Sequence, residues 1–89
     1  MQLHYVTLEF SLEVSDIGRK DEVEELKPRI MDRLLSLMGR KAFGELTTVQ
    51  GRYLLRSQIA EIVNNMTSEE PGSSNPLVTN VFFKQFIVQ

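Results

Sequence analysis

The chain has no cysteine and no tryptophan, and its 89 residues include one histidine, His4. Without cysteine there is no disulfide, no thiolate nucleophile and no zinc–thiolate centre. That absence suits the cytosol and the bacterial periplasm equally, so it assigns neither. No run approaches the roughly 18 apolar residues of a membrane-spanning helix, and no stretch has the layout of a signal peptide. An excess of base is also missing. Ten Lys and Arg against twelve Asp and Glu give a net charge of −2, which argues against nonspecific nucleic-acid binding, since that needs a basic field.

Catalytic and metal-ligating groupings are equally sparse. His4 has no partner group near it in sequence and reads as an exposed terminal residue rather than a triad member or metal ligand. The acidic run Asp21-Glu22-Val23-Glu24-Glu25 lacks the glycine-turned ligand spacing of a calcium loop and reads as a solvated helix N-terminus. Met38-Gly39-Arg40-Lys41-Ala42 is similar to the GxxG loop of RNA-binding KH domains. The fourth position is Ala42, however, and no second basic element supports it. Asn65-Met66-Thr67 matches a glycosylation sequon but falls at a helix end. Ser73 and Ser74 follow no phosphate-loop pattern. No nucleophile, general base or carboxylate pair assembles, so the expected function is non-enzymatic, with no cofactor and no metal.

What is present is an ordinary globular composition, 42% hydrophobic and 25% charged. The length predicts one domain, residues 1–89, and chains of this size bury only about 60–65% of their unfolded surface. Residues 3–14 predict a strand. Val6, Leu8, Phe10, Leu12 and Val14 alternate with Thr7, Glu9, Ser11 and Glu13, giving one dry and one wet face. Ser15-Asp16-Ile17-Gly18 ends it with turn chemistry.

Residues 21–38 predict a first helix with Val23, Leu26, Ile30, Leu34, Leu37 and Met38 on one face. Asp21 is its expected cap, with Glu24 completing a capping box, and Gly39 its expected C′ residue. Pro28 predicts either a kink or a helix restart with Pro28 at its first position. Ala42, Phe43 and Leu46 fit a short helical turn in the linker. A second long helix is predicted over 49–66, capped by Thr48 or Thr47, with Leu55, Ile59, Ile62, Val63 and Met66 as its apolar face. Gly51 near its start is expected to cost little. Residues 67–76 read as a loop.

The last nine residues hold three of the five phenylalanines. A strict two-residue period places Phe82, Phe86 and Val88 on one face and Val81, Phe83 and Ile87 on the other. Both faces are then apolar, so this strand needs two covers. The resulting fold class is α+β, a β-α-α-β order with two long helices packed on one face of a small antiparallel sheet. Two strands make a marginal sheet, and a third is expected from elsewhere. Val81, Phe82, Phe86 and Val88 are the candidate partner or self-association residues.

Four segments together resemble the FliL family of flagellar basal-body-associated proteins. Tyr5-Val6-Thr7-Leu8 through Leu12-Glu13-Val14-Ser15-Asp16 is similar to its strand ending in LEV-x-D. Pro28-Arg29-Ile30-Met31-Asp32-Arg33-Leu34-Leu35 is similar to its P-x-I-x-D-x-(I/L)-L helix. Leu46-Thr47-Thr48-Val49-Gln50-Gly51-Arg52 resembles L-x-T-x-x-G-(K/R), continuing through Leu55-Arg56 and Ile59 to Ile62-Val63-Asn64. Val81 to Gln89 resembles the V-(Y/F)-F-x-x-F-(I/V)-(I/V)-Q ending.

The resemblance implies a periplasmic domain of an inner-membrane protein with an SPFH/stomatin-like fold. It also implies association with the flagellar stator in support of motility, ring-like homo-oligomers and no catalysis. The family's transmembrane helix, linker and first periplasmic strand have no counterpart here. Membrane attachment is therefore expected only through a segment absent from this chain. The alternative expectation is a stomatin-like membrane scaffold without a flagellar role.

Overall fold

The computed structural model describes residues 5–67 and 75–89. His4, Ser73 and Ser74 lie outside the described residues, as does most of the 67–76 loop. The elements run β1 (Val6–Val14), a 3-10 turn (Ile17–Arg19), α1 (Lys20–Glu25), α2 (Lys27–Gly39), α3 (Phe43–Thr47), α4 (Val49–Thr67) and β2 (Val78–Val88). This is an α+β architecture. Strands β1 and β2 pair antiparallel in a two-stranded sheet, and the helices pack on one of its faces.

The period-two pattern of β1 holds from Leu8 onward: Leu8, Phe10, Leu12 and Val14 pack on the core, Thr7, Glu9 and Glu13 are exposed, and Val6, expected on the dry face, is 39% exposed. Backbone bonds tie both ends of the sheet. Tyr5 and Gln89 exchange N–H donors to each other's carbonyls at 2.9 and 2.8 Å, and Ser15 N–H donates to Leu77 O at 2.8 Å.

Strand β2 departs from strict alternation, and this corrects the expected grouping of its side chains. Glu9 pairs with Gln85 while Phe10 pairs with Phe83, which leaves Lys84 without a partner. Glu13 pairs with Asn80 while Val14 pairs with Val78, which leaves out Thr79. Each extra residue is a bulge that reverses the side-chain phase beyond it. The inward set therefore becomes Val78, Val81, Phe83, Phe86 and Val88. Phe82 and Ile87 face out, 48% and 41% exposed. Phe82 does not share a face with Phe86 and Val88, and Val81 does not share one with Ile87. The strand that reads as apolar on both faces is thus largely one-sided.

The first helix divides at Leu26, two residues before Pro28. Leu26 keeps a helical backbone conformation but flattens (φ −84°, ψ −5°), and α2 restarts from it with the proline in its first turn. Proline is tolerated there because its missing N–H has no intrahelical role. Asp21 does not cap this segment. Asp16 caps the preceding 3-10 turn, its carboxylate accepting from Gly18 N–H at 2.9 Å, and α1 has no side-chain cap. Gly39 is the last residue of α2 rather than its C′ residue, with Arg40 as the C-cap.

Helix α4 supplies the centre of the core. Leu55, Ile59 and Val63 recur at helical spacing and are almost fully enclosed. Ile30 and Leu34 of α2, Leu46 of α3, and Val78 and Val81 of β2 complete it.

Candidate functional site

Three structural devices place the helices on the sheet, and none is a catalytic arrangement. The first is the α3–α4 corner. Leu46 is buried, Thr48 Oγ1 accepts from Gly51 N–H at 3.1 Å, and Arg52 Nε donates to Leu46 O at 3.0 Å. Gly51 lies so close to α3 that an added Cβ would sit 1.8 Å from Glu45 O. The glycine is required by this approach, which sequence reasoning about helix propensity had missed. Of the two expected caps, Thr48 is the one used.

The second device is Asn64. Its Nδ2 donates to Val78 O at 3.1 Å, and its Oδ1 accepts from Val78 N–H at 2.7 Å. The amide replaces a neighbouring strand at the start of β2, where Val78 is only 2% exposed. The third is Arg19. It makes a two-pronged pair with Glu22 at 2.8 and 2.9 Å and donates to Thr67 O at 2.7 Å, linking the start of α1 to the end of α4. The hydrogen bond from Arg19, assisted by its charge against a smaller desolvation effect, holds the Glu22 carboxyl below its ordinary pKa. The hydroxyl of Thr67 donates to Val63 O at 2.9 Å from a buried position, so the sequon's threonine serves the helix end.

Among the described residues no three acidic or histidine side chains gather closely enough to hold a metal ion. The acidic run is engaged in local pairs, Arg19–Glu22 and Lys20–Glu24 at 3.9 Å. The bases after α2 serve the chain locally: Arg40 Nε donates to Ser36 O, and Lys41 lies 3.8 Å from Glu45.

The four candidate association residues separate. Val81 is 2% exposed and belongs to the core. Phe86 and Val88 are partly buried against that core. Phe82 alone of the four lies on the open face of the sheet, where Ile87 of β2 and the polar residues of β1 accompany it. Phe83 and Phe86 meet edge to face, 5.2 Å between centroids, and two arginines of α4 cover them. Arg52 sits 4.2 Å from the Phe86 ring centre and Arg56 5.1 Å from that of Phe83. Nothing in the separate runs Arg52–Arg56 and Phe82–Phe86 announces this meeting.

Across residues 1–89 the sequence matches the family described as flagellar basal body-associated protein FliL. The chain belongs to the FliL family. It is 29% identical over 85 residues to the flagellar protein FliL of Aquifex aeolicus. That alignment covers 96% of this chain and 49% of the relative, so the chain spans about half the length of the curated FliL protein it matches. The Leu46…Thr48…Gly51-Arg52 segment, one of the four that carry the resemblance, forms the α3–α4 corner, where each of the four residues has a separate structural task. Among the described residues no helix is long and apolar enough to cross a membrane.

Proposed function

We propose that this chain is a non-enzymatic interaction module of the flagellar motor that self-associates in a ring and binds the stator, supporting motility. The observation that carries this reading is the FliL family match over the whole of residues 1–89. In this reading the chain is a single SPFH/stomatin-like domain. It works in the periplasm beside the inner membrane, attached through a segment outside this sequence. Its mechanism is association. A bound module shifts the stator only by binding one stator conformation more tightly than another. The open face of the sheet, with Phe82 and Ile87 exposed on it, is the surface offered for such contacts. Phe82 is the one of the four candidate residues that this assignment retains, since a fully enclosed side chain such as Val81 contributes to folding instead.

The experiment is deletion in the native host with complementation. Loss of motility or of stator occupancy, restored by the wild-type gene, is the expected result. F82C places a thiol for crosslinking in residues 1–89, which otherwise have none. Crosslinks to stator subunits or sister copies support the reading. Normal motility and stator occupancy after deletion defeat it.

A further inference from the structure

A groove runs between α4 and the edge of β2 that faces away from β1. One part, about 360 Å³ in volume, is lined by Val49, Arg52, Tyr53, Arg56, Lys84 and Phe86, among others. It continues past Tyr53 and Arg56 to Ser57, Ala60 and the Thr79–Val81 backbone. Three cations and, among the described residues, no carboxylate line this groove, although the chain as a whole carries a net charge of −2. Arg56 and Lys84 are exposed and form no ion pair among the described residues. The bulge at Lys84 leaves it opposite no residue of β1.

We propose that this groove docks an extended acidic segment of a protein partner. Its carboxylates pair with Arg56 and Lys84, and its apolar side chains lie on the exposed Val49 and Tyr53. Shape and charge support this occupant: the groove runs lengthwise between α4 and strand β2, and its lining supplies Arg52, Arg56 and Lys84 with no carboxylate among the described residues. Lysine on an exposed strand edge discourages indiscriminate pairing. An acidic segment is the one whose charge turns that barrier into an attraction. This inference rests on the groove alone and holds whether or not the partner is a stator protein.

The test uses a fluorescein-labelled nine-residue peptide alternating glutamate and valine, measured by fluorescence anisotropy at low salt. Glutamine and lysine versions of the same peptide are the controls. The expected result is binding at least tenfold tighter for the glutamate peptide than for either control, weakening as salt is raised. The R56Q/K84Q variant should lose at least tenfold, and backbone amide shifts should fall on residues 79–86 and on α4. Arg52 is left unchanged because it also holds α3. The peptide charge series on the wild-type protein decides the matter even if the variant folds poorly. Equal binding of the three peptides overturns the proposal, as does equal displacement by a sulfated oligosaccharide. Self-association of the wild type that R56Q/K84Q abolishes, without peptide binding, also overturns it by assigning the groove to a second copy.

Discussion

Gly51→Ala should destabilise this domain even though the same change in an unobstructed helix stabilises it. Alanine is favoured over glycine in a helix interior by about 1 kcal/mol, and Gly51 lies in the first turns of α4. The added methyl would meet Glu45 O at 1.8 Å, Glu45 C at 2.6 Å and Thr48 Oγ1 at 2.9 Å. Two of those atoms are backbone and cannot rotate aside. The α3–α4 corner must open, which disturbs the Leu46 burial and the Arg52–Leu46 hydrogen bond. Overpacking of this kind costs about 1–3 kcal/mol, and loss of the Arg52 bond adds about 1.5 kcal/mol or more. After the propensity gain is offset, a net loss of about 2 kcal/mol is expected. In a domain of this size that lowers the melting temperature by about 8–16 °C. Gly44→Ala is the internal control. It adds the same methyl within α3, where nothing lies within 4 Å of the new atom, and should be neutral or stabilising by up to about 1 kcal/mol. Urea titrations of the two variants read out the signs. A Gly51→Ala protein as stable as the Gly44→Ala protein would refute the close-approach account.

Asn64→Leu should cost about 2–4 kcal/mol, because it leaves both backbone groups of Val78 unpaired in a buried position. Asn64→Asp keeps the acceptor for Val78 N–H and should lose less at neutral pH; equal losses in urea unfolding would contradict the two-bond role. Phe82→Glu should leave the fold intact, whereas Val81→Glu places a charge at a site only 2% exposed and should unfold the domain. Circular dichroism and size-exclusion chromatography of the pair would expose an error if Val81→Glu stayed folded. For Glu22, the folded pKa lies below the ordinary value of 4.5. Its contribution is therefore complete above the unfolded pKa and disappears as pH falls through the lower folded one. Wild type and Glu22→Gln should differ in urea midpoint near pH 6 and converge in strong acid; a gap that persists there would assign the difference to something other than this titration.

Much of this fold is legible because helices and one-sided strands advertise their buried face by period. The β1 alternation, the Ile30–Leu34 face of α2 and the Leu55–Ile59–Val63 face of α4 follow from local spacing alone. Pro28 likewise restricted the options to a kink or a restart, and the chain restarts one residue earlier than expected, at Lys27, with Pro28 at the second helical position. The β2 phase was not legible. A bulge is defined by two residues opposing one across a ladder, so its place depends on pairing with β1 more than 60 positions away. Misplacing that phase grouped Phe82 with Phe86 and Val88 as one association face, when only Phe82 among them is on the open side.

The sequence by itself determined the α+β class, the element order, the apolar faces and, through four motifs in register, the FliL family. These depend on neighbours within a few residues or on patterns that are linear by nature. Only the tertiary structure decided which side of β2 is buried, why residue 51 must be glycine, and that Asn64 completes the start of β2. It also brought Arg52 and Arg56 onto Phe86 and Phe83. Each of these is a contact between segments that a chain specifies only jointly. The same two bulges that hid the strand's inward face from the sequence leave Phe82 outward and Lys84 unpaired beside α4.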